Sequence, residues 1–272
     1  FSFLSPSIFL TLLYAKNIHE LLFQIQNNPG IQVVGSCTRL GELPDKAIST
    51  FGIQELSQII RHERYIEVGP GTTLSAILQI GQNHLPQVLY EALQTVANPI
   101  IRNTATIGGN ICEQNHKLTL FAPLLALDAK LEFKSQTETR TETLQTIKDV
   151  PKNFILANIK IPLVDADISI FRRIGPENKI TQQSASFAFM ANTEKNSLVS
   201  LRLAFAGPFI FRSKNLESNI AGRRLPLSQK DIAEIQEMVK QEFKSAATDQ
   251  MISNVLTQQF LNLTQYSFEQ LS

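Results

Sequence analysis

Residues 102–110 read Arg-Asn-Thr-Ala-Thr-Ile-Gly-Gly-Asn, and no other segment of the chain constrains its fold as tightly. Two adjacent glycines, Gly108 and Gly109, let the backbone come closer to a second segment or a ligand than a Cβ would allow. Thr106 and Asn110 frame them with a hydroxyl and a carboxamide, which hydrogen-bond without bulk. With Ile107 between, the stretch matches an amide-lined turn or helix start that cradles an extended phosphate. An ordinary glycine turn accounts for the same residues equally well.

Two further loops have a strand–turn–helix character. Val34-Gly35-Ser36-Cys37-Thr38 stands at the end of a short buried strand. Taken alone it reads more readily as a turn than as a ligand loop. Gly69-Pro70-Gly71-Thr72-Thr73-Leu74 is accounted for by a threonine-capped helix start. Neither a Gly-x-Gly-x-x-Gly dinucleotide fingerprint after a strand nor a Walker loop occurs.

The apolar pattern divides the chain. Residues 7–27 read as a helix opening at Pro6 or Ser7, 31–35 and 45–50 as strands, and 53–60 as a short helix or turn. A strand at 65–68, helices near 72–82 and 89–97, and strands at 130–134 and 154–162 follow. Beyond residue 165 come three strand-like stretches, at 168–174, 186–192 and 198–207, and then helices near 228–244 and 248–263. Strands in succession followed by helices indicate an α+β unit. The expected division is therefore 1–164, with lobes of about 1–56 and 57–164, and a second domain at 165–272. Hydrophobic residues make up 43% of the 272, enough for sizeable cores, and a net charge of +1 gives no general attraction to nucleic acid or an anionic membrane. No apolar run reaches the roughly 20 residues of a spanning helix. Two cysteines, Cys37 and Cys112, make no disulfide scaffold and no four-cysteine metal or cluster site, which favours a reducing, cytoplasmic setting. The four histidines have no ligand spacing, so no metal is expected.

At this point the sequence resembles the FAD-binding medium subunits of the molybdenum hydroxylases, the xanthine dehydrogenase and carbon monoxide dehydrogenase group. The resemblance rests on residues 102–110 followed by Leu124-Leu125-Ala126-Leu127-Asp128-Ala129. Val68–Leu74, Ile159–Pro162, Phe171–Gly175, Leu201–Gly207 and Ala221–Arg223 support it, so it covers nearly the whole chain. It implies a two-lobed FAD-binding domain of the vanillyl-alcohol-oxidase (PCMH) type. A C-terminal α+β domain with a three-stranded antiparallel sheet would follow. FAD would lie between the lobes and that domain, its pyrophosphate meeting the loops Val33–Thr38 and Thr106–Asn110. Leu156 would contact the flavin side through its backbone, and Arg172 would stand near the cofactor.

The resemblance further implies an electron-transfer role. Electrons from a molybdopterin-binding large subunit would pass through the 2Fe-2S centres of a small subunit to FAD, and then to NAD or another acceptor. No side chain of this chain is then needed as a nucleophile or base. There are departures. The first loop carries Gly35-Ser36-Cys37-Thr38-Arg39 where the family has Gly-Gly-Thr and an acidic or similar residue. Thr119 occupies the place of an Asp that helps hold the cofactor's sugar-alcohol chain, and Glu113–Lys117 differ from the usual run. These departures mark a divergent branch, and they leave open a scaffold subunit that has lost or weakened FAD binding. A stand-alone flavin reductase shares the FAD fold, but the matches at Phe171–Gly175 and Leu201–Gly207 argue against it. A lowered thiol pKa could give Cys37 or Cys112 a redox role, although small-residue packing in tight loops is the preferred reading.

Overall fold

A computed structural model describes residues 11–38, 44–113, 116–147, 149–176, 179–247 and 252–272. The chain begins with β1 (Thr11–Tyr14), α1 (Ile18–Asn27), β2 (Gln32–Val34) and β3 (Lys46–Ser49). Both β1 and β2 pair parallel to β3, giving the order β1-β3-β2. The expected helix over 7–27 is corrected here, and its predicted start at Pro6 or Ser7 lies outside the described residues. Thr11–Tyr14 is a strand, because Leu12 and Leu13 find a backbone partner in Ala47 and Ile48. The helix opens only at Ile18, where the Asn17 side chain accepts the Glu20 N–H at 2.8 Å. Leu21, Leu22 and Ile25 of α1 pack with Ile48, Ile53 and Leu56 in one small core.

After a 3-10 turn at Gln54–Leu56 come β4 (Ile59–Arg61), β5 (Tyr65–Val68), α2 (Leu74–Leu78), α3 (Gln87–Thr95), α4 (Pro99–Arg102), α5 (Ile107–Ile111), α6 (Phe121–Ala126), β6 (Lys130–Lys134), β7 (Thr139–Thr143) and β8 (Ile155–Pro162). The strands form an antiparallel sheet in the order β4-β5-β8-β6-β7. Side chains of β8 alternate from Ile159 onward, and an irregularity in its pairing with β6 lets Leu156 join Ile159 and Ile161 in the core with α3, α5 and α6. Ile155, by contrast, packs in the core of the first sheet, so β8 touches both.

The remainder holds β9 (Ile168–Ile174), β10 (Ala185–Glu194), β11 (Ser197–Ala206), β12 (Ile210–Phe211), α7 (Lys214–Ile220), α8 (Gln229–Ala246) and α9 (Asn254–Glu269). The sheet has four strands, β12-β11-β10-β9, rather than the expected three. The addition is a two-residue edge strand, too short to register as a pattern in sequence. The helix expected from residue 248 starts at Asn254 with Ser253 as its cap, and 248–251 lie outside the described residues. Side-chain period two divides this sheet sharply. Phe187, Phe189 and Phe205 face Phe243, Phe260 and Phe268 of the helices, with Phe243 and Phe260 stacked at 3.9 Å. Ala188, Met190, Ala204 and Ala206 face the other way and join the core around α6. Small residues there let α6 lie close on the sheet. Among the described residues, no helix is long and apolar enough to cross a membrane.

Candidate functional site

The first predicted loop leaves the end of β2. Val34 is buried, while Val33 is 42% exposed, so the strand is less buried than its sequence implied. Thr50 holds the loop's root, donating to the Val34 carbonyl from its N–H at 2.9 Å and from its hydroxyl at 3.3 Å. Cys37 takes a left-handed φ of 54°. The backbone N–H groups of Ser36, Cys37 and Thr38 meet no acceptor among the described residues. Successive amides that point outward from such a turn make an anion-binding concavity.

The second loop lies beside it. A Cβ built on Gly35 would stand 3.5 Å from Thr106 Oγ1, so the fold brings the two loops into contact across the lobes. Thr106 caps α5 by accepting the Gly109 N–H at 3.2 Å. The Ile107 N–H donates to the Thr72 carbonyl at 3.1 Å and the Gly108 N–H to Pro70 at 2.8 Å. The helix-start amides are therefore engaged by the protein itself, unlike the free nest that the glycine pair predicted. The two glycines also have different jobs. A Cβ on Gly108 would lie 2.6 Å from the Pro70 Cβ, whereas one on Gly109 would meet only Thr106 Oγ1 at 3.3 Å. Gly108 is a packing glycine; Gly109 is exposed and keeps the face toward the first loop open.

The third loop is structural. A Cβ on Gly69 would fall 2.3 Å from the Leu56 carbonyl oxygen, and Thr73 caps α2. Arg102 also proves structural, since its Nη1 donates to the carbonyls of Gln94, Val96 and Ala97 at the end of α3. Asn110 is buried and its Oδ1 accepts the Leu120 N–H at 3.0 Å, which ties α5 to the start of α6.

Thr119 lines a narrow cleft between α6's approach and β9, together with His116, Lys117, Leu118, Arg173, Ile180, Ser184 and Ala185. His116 is buried there, 2.6 Å from the Ser184 carbonyl. Two basic residues, Lys117 and Arg173, line this cleft, and Arg172, expected near the cofactor, is not among its lining residues. Phe171 joins the core around α6 while Ile170 and Ile174 join the helical side, so odd-numbered residues of β9 face the cleft. Arg172 is one step out of phase and is exposed. Leu156 sits near the start of β8 with its side chain in the core around α6. Burial raises the Cys37 thiol and pushes Cys112 up to about 12 against the pull of Lys117. Neither is an activated thiol.

Sequence reading missed a second polar centre. Asp128, at a left-handed φ of 56° after α6, accepts from Arg212 Nη1 at 2.9 Å and Nη2 at 3.3 Å. Arg212 is buried and donates from Nε to Glu217 at 2.9 Å, and from Nη1 to the Leu125 carbonyl. Arg202 donates to the Ala126 carbonyl at 3.0 Å, and Lys214 approaches Asp128 at 3.3 Å. Burial would raise the Asp128 carboxyl, but Arg212, then Arg202 and Lys214, hold it below the usual carboxylate range. Of this centre the sequence had marked only Asp128 and Arg202, as members of the 124–129 and 201–207 runs.

The pieces present suit a dinucleotide: free amides on one loop, glycine-cleared space on its neighbour, and a polar cleft toward the third sheet. Comparison with known proteins points the same way. Residues 8–164, more than half of the chain, match the family described as the FAD binding domain in molybdopterin dehydrogenase. A putative xanthine dehydrogenase FAD-binding subunit of Escherichia coli K12 is 29% identical over 197 residues, covering 65% of this chain and 64% of that protein. A putative aldehyde oxidase-like protein of Oryza sativa is 27% identical over 79% of this chain, which spans only 19% of that protein's length. Among solved structures, carbon monoxide dehydrogenase from Hydrogenophaga pseudoflava shares the fold with a TM-score of 0.78 at 15% identity, over 96% of this chain and 95% of that one. Quinoline 2-oxidoreductase from Pseudomonas putida 86 does so with a TM-score of 0.78 at 14% identity, over 96% of each chain. The chain belongs to the family of FAD-binding domains of molybdopterin dehydrogenases, the flavoprotein component of the molybdenum hydroxylases.

Proposed function

We propose that this chain holds FAD as the electron-transfer part of a molybdopterin-dependent oxidoreductase. The observation that carries the reading is the contact between loops, with Gly35 and Thr106 facing each other beside three amides that have no acceptor among the described residues. Ser36, Cys37 and Thr38 would bind the pyrophosphate through backbone N–H groups. Gly35 and Gly109 would admit it, and the Thr106 hydroxyl would limit its approach. Thr119 in the cleft would hydrogen-bond the sugar-alcohol chain, and Leu156 would border the flavin from β8. Residues 1–164 would form the FAD-binding domain, with lobes of about 1–56 and 57–164, and 165–272 the C-terminal domain. Bound FAD supplies the redox chemistry, while the protein supplies position and electrostatics. Partners carrying molybdopterin and 2Fe-2S centres would deliver electrons, NAD or another acceptor would receive them, and the setting would be cytoplasmic.

An absorbance spectrum of the purified chain, before and after adding FAD, tests this. A flavin band that stays with the protein through gel filtration is expected. A colourless chain that ignores added FAD would falsify the proposal. That second outcome fits a scaffold subunit, a reading favoured by the engagement of the Ile107, Gly108 and Gly109 amides within the protein.

A further inference from the structure

The three parallel strands of the first sheet end on one line. Tyr14, Ser49 and Val34 stand in register across β1, β3 and β2, so the segments that follow these strands emerge at a common carboxyl edge. Ligands of open parallel sheets bind outside the carboxyl ends of the strands. This edge carries the Ser36–Thr38 amides and two exposed aromatic side chains, Tyr14 at 65% and Phe51 at 74%.

Phe51 is held outward by its own turn. Its N–H donates to the Ser49 hydroxyl at 3.1 Å, Gly52 after it takes φ of 86°, and Ile53 is fully buried. The turn is thus anchored on both sides while its largest apolar side chain takes no part in a core. Thr50, next to Phe51, is the residue whose N–H and hydroxyl grip the Val34 carbonyl at the root of the amide loop. Ring and amides are parts of one edge. Amides attract phosphate, and an aromatic face attracts a flat nucleobase. We infer that Phe51 is the stacking platform for the adenine ring of a bound dinucleotide whose phosphates rest on Ser36–Thr38. The inference rests on the FAD reading above.

Isothermal titration of the full chain with FAD, ADP and FMN separates the two halves of the ligand. F51A is expected to weaken FAD and ADP about tenfold, from the usual worth of base–aromatic stacking. FMN binding and the unfolding temperature should not move, and F51W should restore the loss. F23A, at an exposed phenylalanine of α1, should change nothing. Wild-type affinity for FAD and ADP in F51A overturns the inference, as does an equal loss of FMN or an equal effect of F23A. A wild-type chain that binds neither FAD nor ADP overturns this inference and the flavin reading together, whereas normal FAD binding by F51A overturns this one alone.

Discussion

The loop pair and the Asp128 centre are both polar, yet they are built in opposite ways. The loop pair uses backbone amides, two glycines and short hydroxyls, and the amides of Ser36–Thr38 on its first loop meet no acceptor among the described residues. The Asp128 centre uses long charged side chains turned inward, and Arg212 spends its donors on Asp128, Glu217 and the Leu125 carbonyl. A ligand site needs unspent hydrogen-bonding capacity, whereas a buried joint must leave none unspent. By that criterion the Asp128 centre is a joint that fastens α6 to β11, β12 and α7.

The comparison is broken hardest at Arg212. R212A leaves Glu217 and the Leu125 carbonyl without their partner, and breaking a buried pair in this way costs ~3–5 kcal/mol. Urea unfolding should show that loss, with the third sheet loosening from the core around α6. A smaller effect separates the glycines. G108A forces a Cβ against Pro70 and should cost ~1–3 kcal/mol by overpacking. G109A should leave stability nearly unchanged and weaken FAD instead, so denaturation and FAD titration should rank the two variants in opposite order. Equal stability losses would mean that Gly109 is also a packing residue.

The smallest effect is the pH dependence of the joint. The Asp128 carboxyl is lowered in the folded chain, so its contribution is complete above the unfolded value of roughly 4 and is lost as the pH falls through the folded value. Its side chain is 40% exposed, so the contribution is screened to about 1 kcal/mol. Urea midpoints of wild type and D128N should differ at pH 7 and converge below about pH 4. A gap that stays constant with pH would show that the carboxylate's charge is not what holds the joint.

Much of this was legible in the sequence. The strands at 65–68, 130–134, 154–162 and 168–174 stand within a residue of where their apolar patterns placed them. Local signals failed where the deciding partner was remote. The strand β1 passed for helix because a short apolar run has the same composition in either state, and only β3 gives it a ladder. Arg172 and Arg173 are adjacent in sequence, and only the fold puts Arg173 in the cleft with Thr119 while Arg172 is exposed, because the face of a strand flips with every residue.

The sequence by itself determined the glycine pair, the threonine cap at Thr73 and the positions of the strands at 65–68, 130–134 and 168–174. Each depends on residues within a few positions of one another. Tertiary structure alone decided that Gly35 faces Thr106, that the helix-start amides are already engaged, and that Asp128 meets Arg212, 84 residues away. Those pairings depend on distances between segments far apart in the chain, which packing sets and composition does not encode.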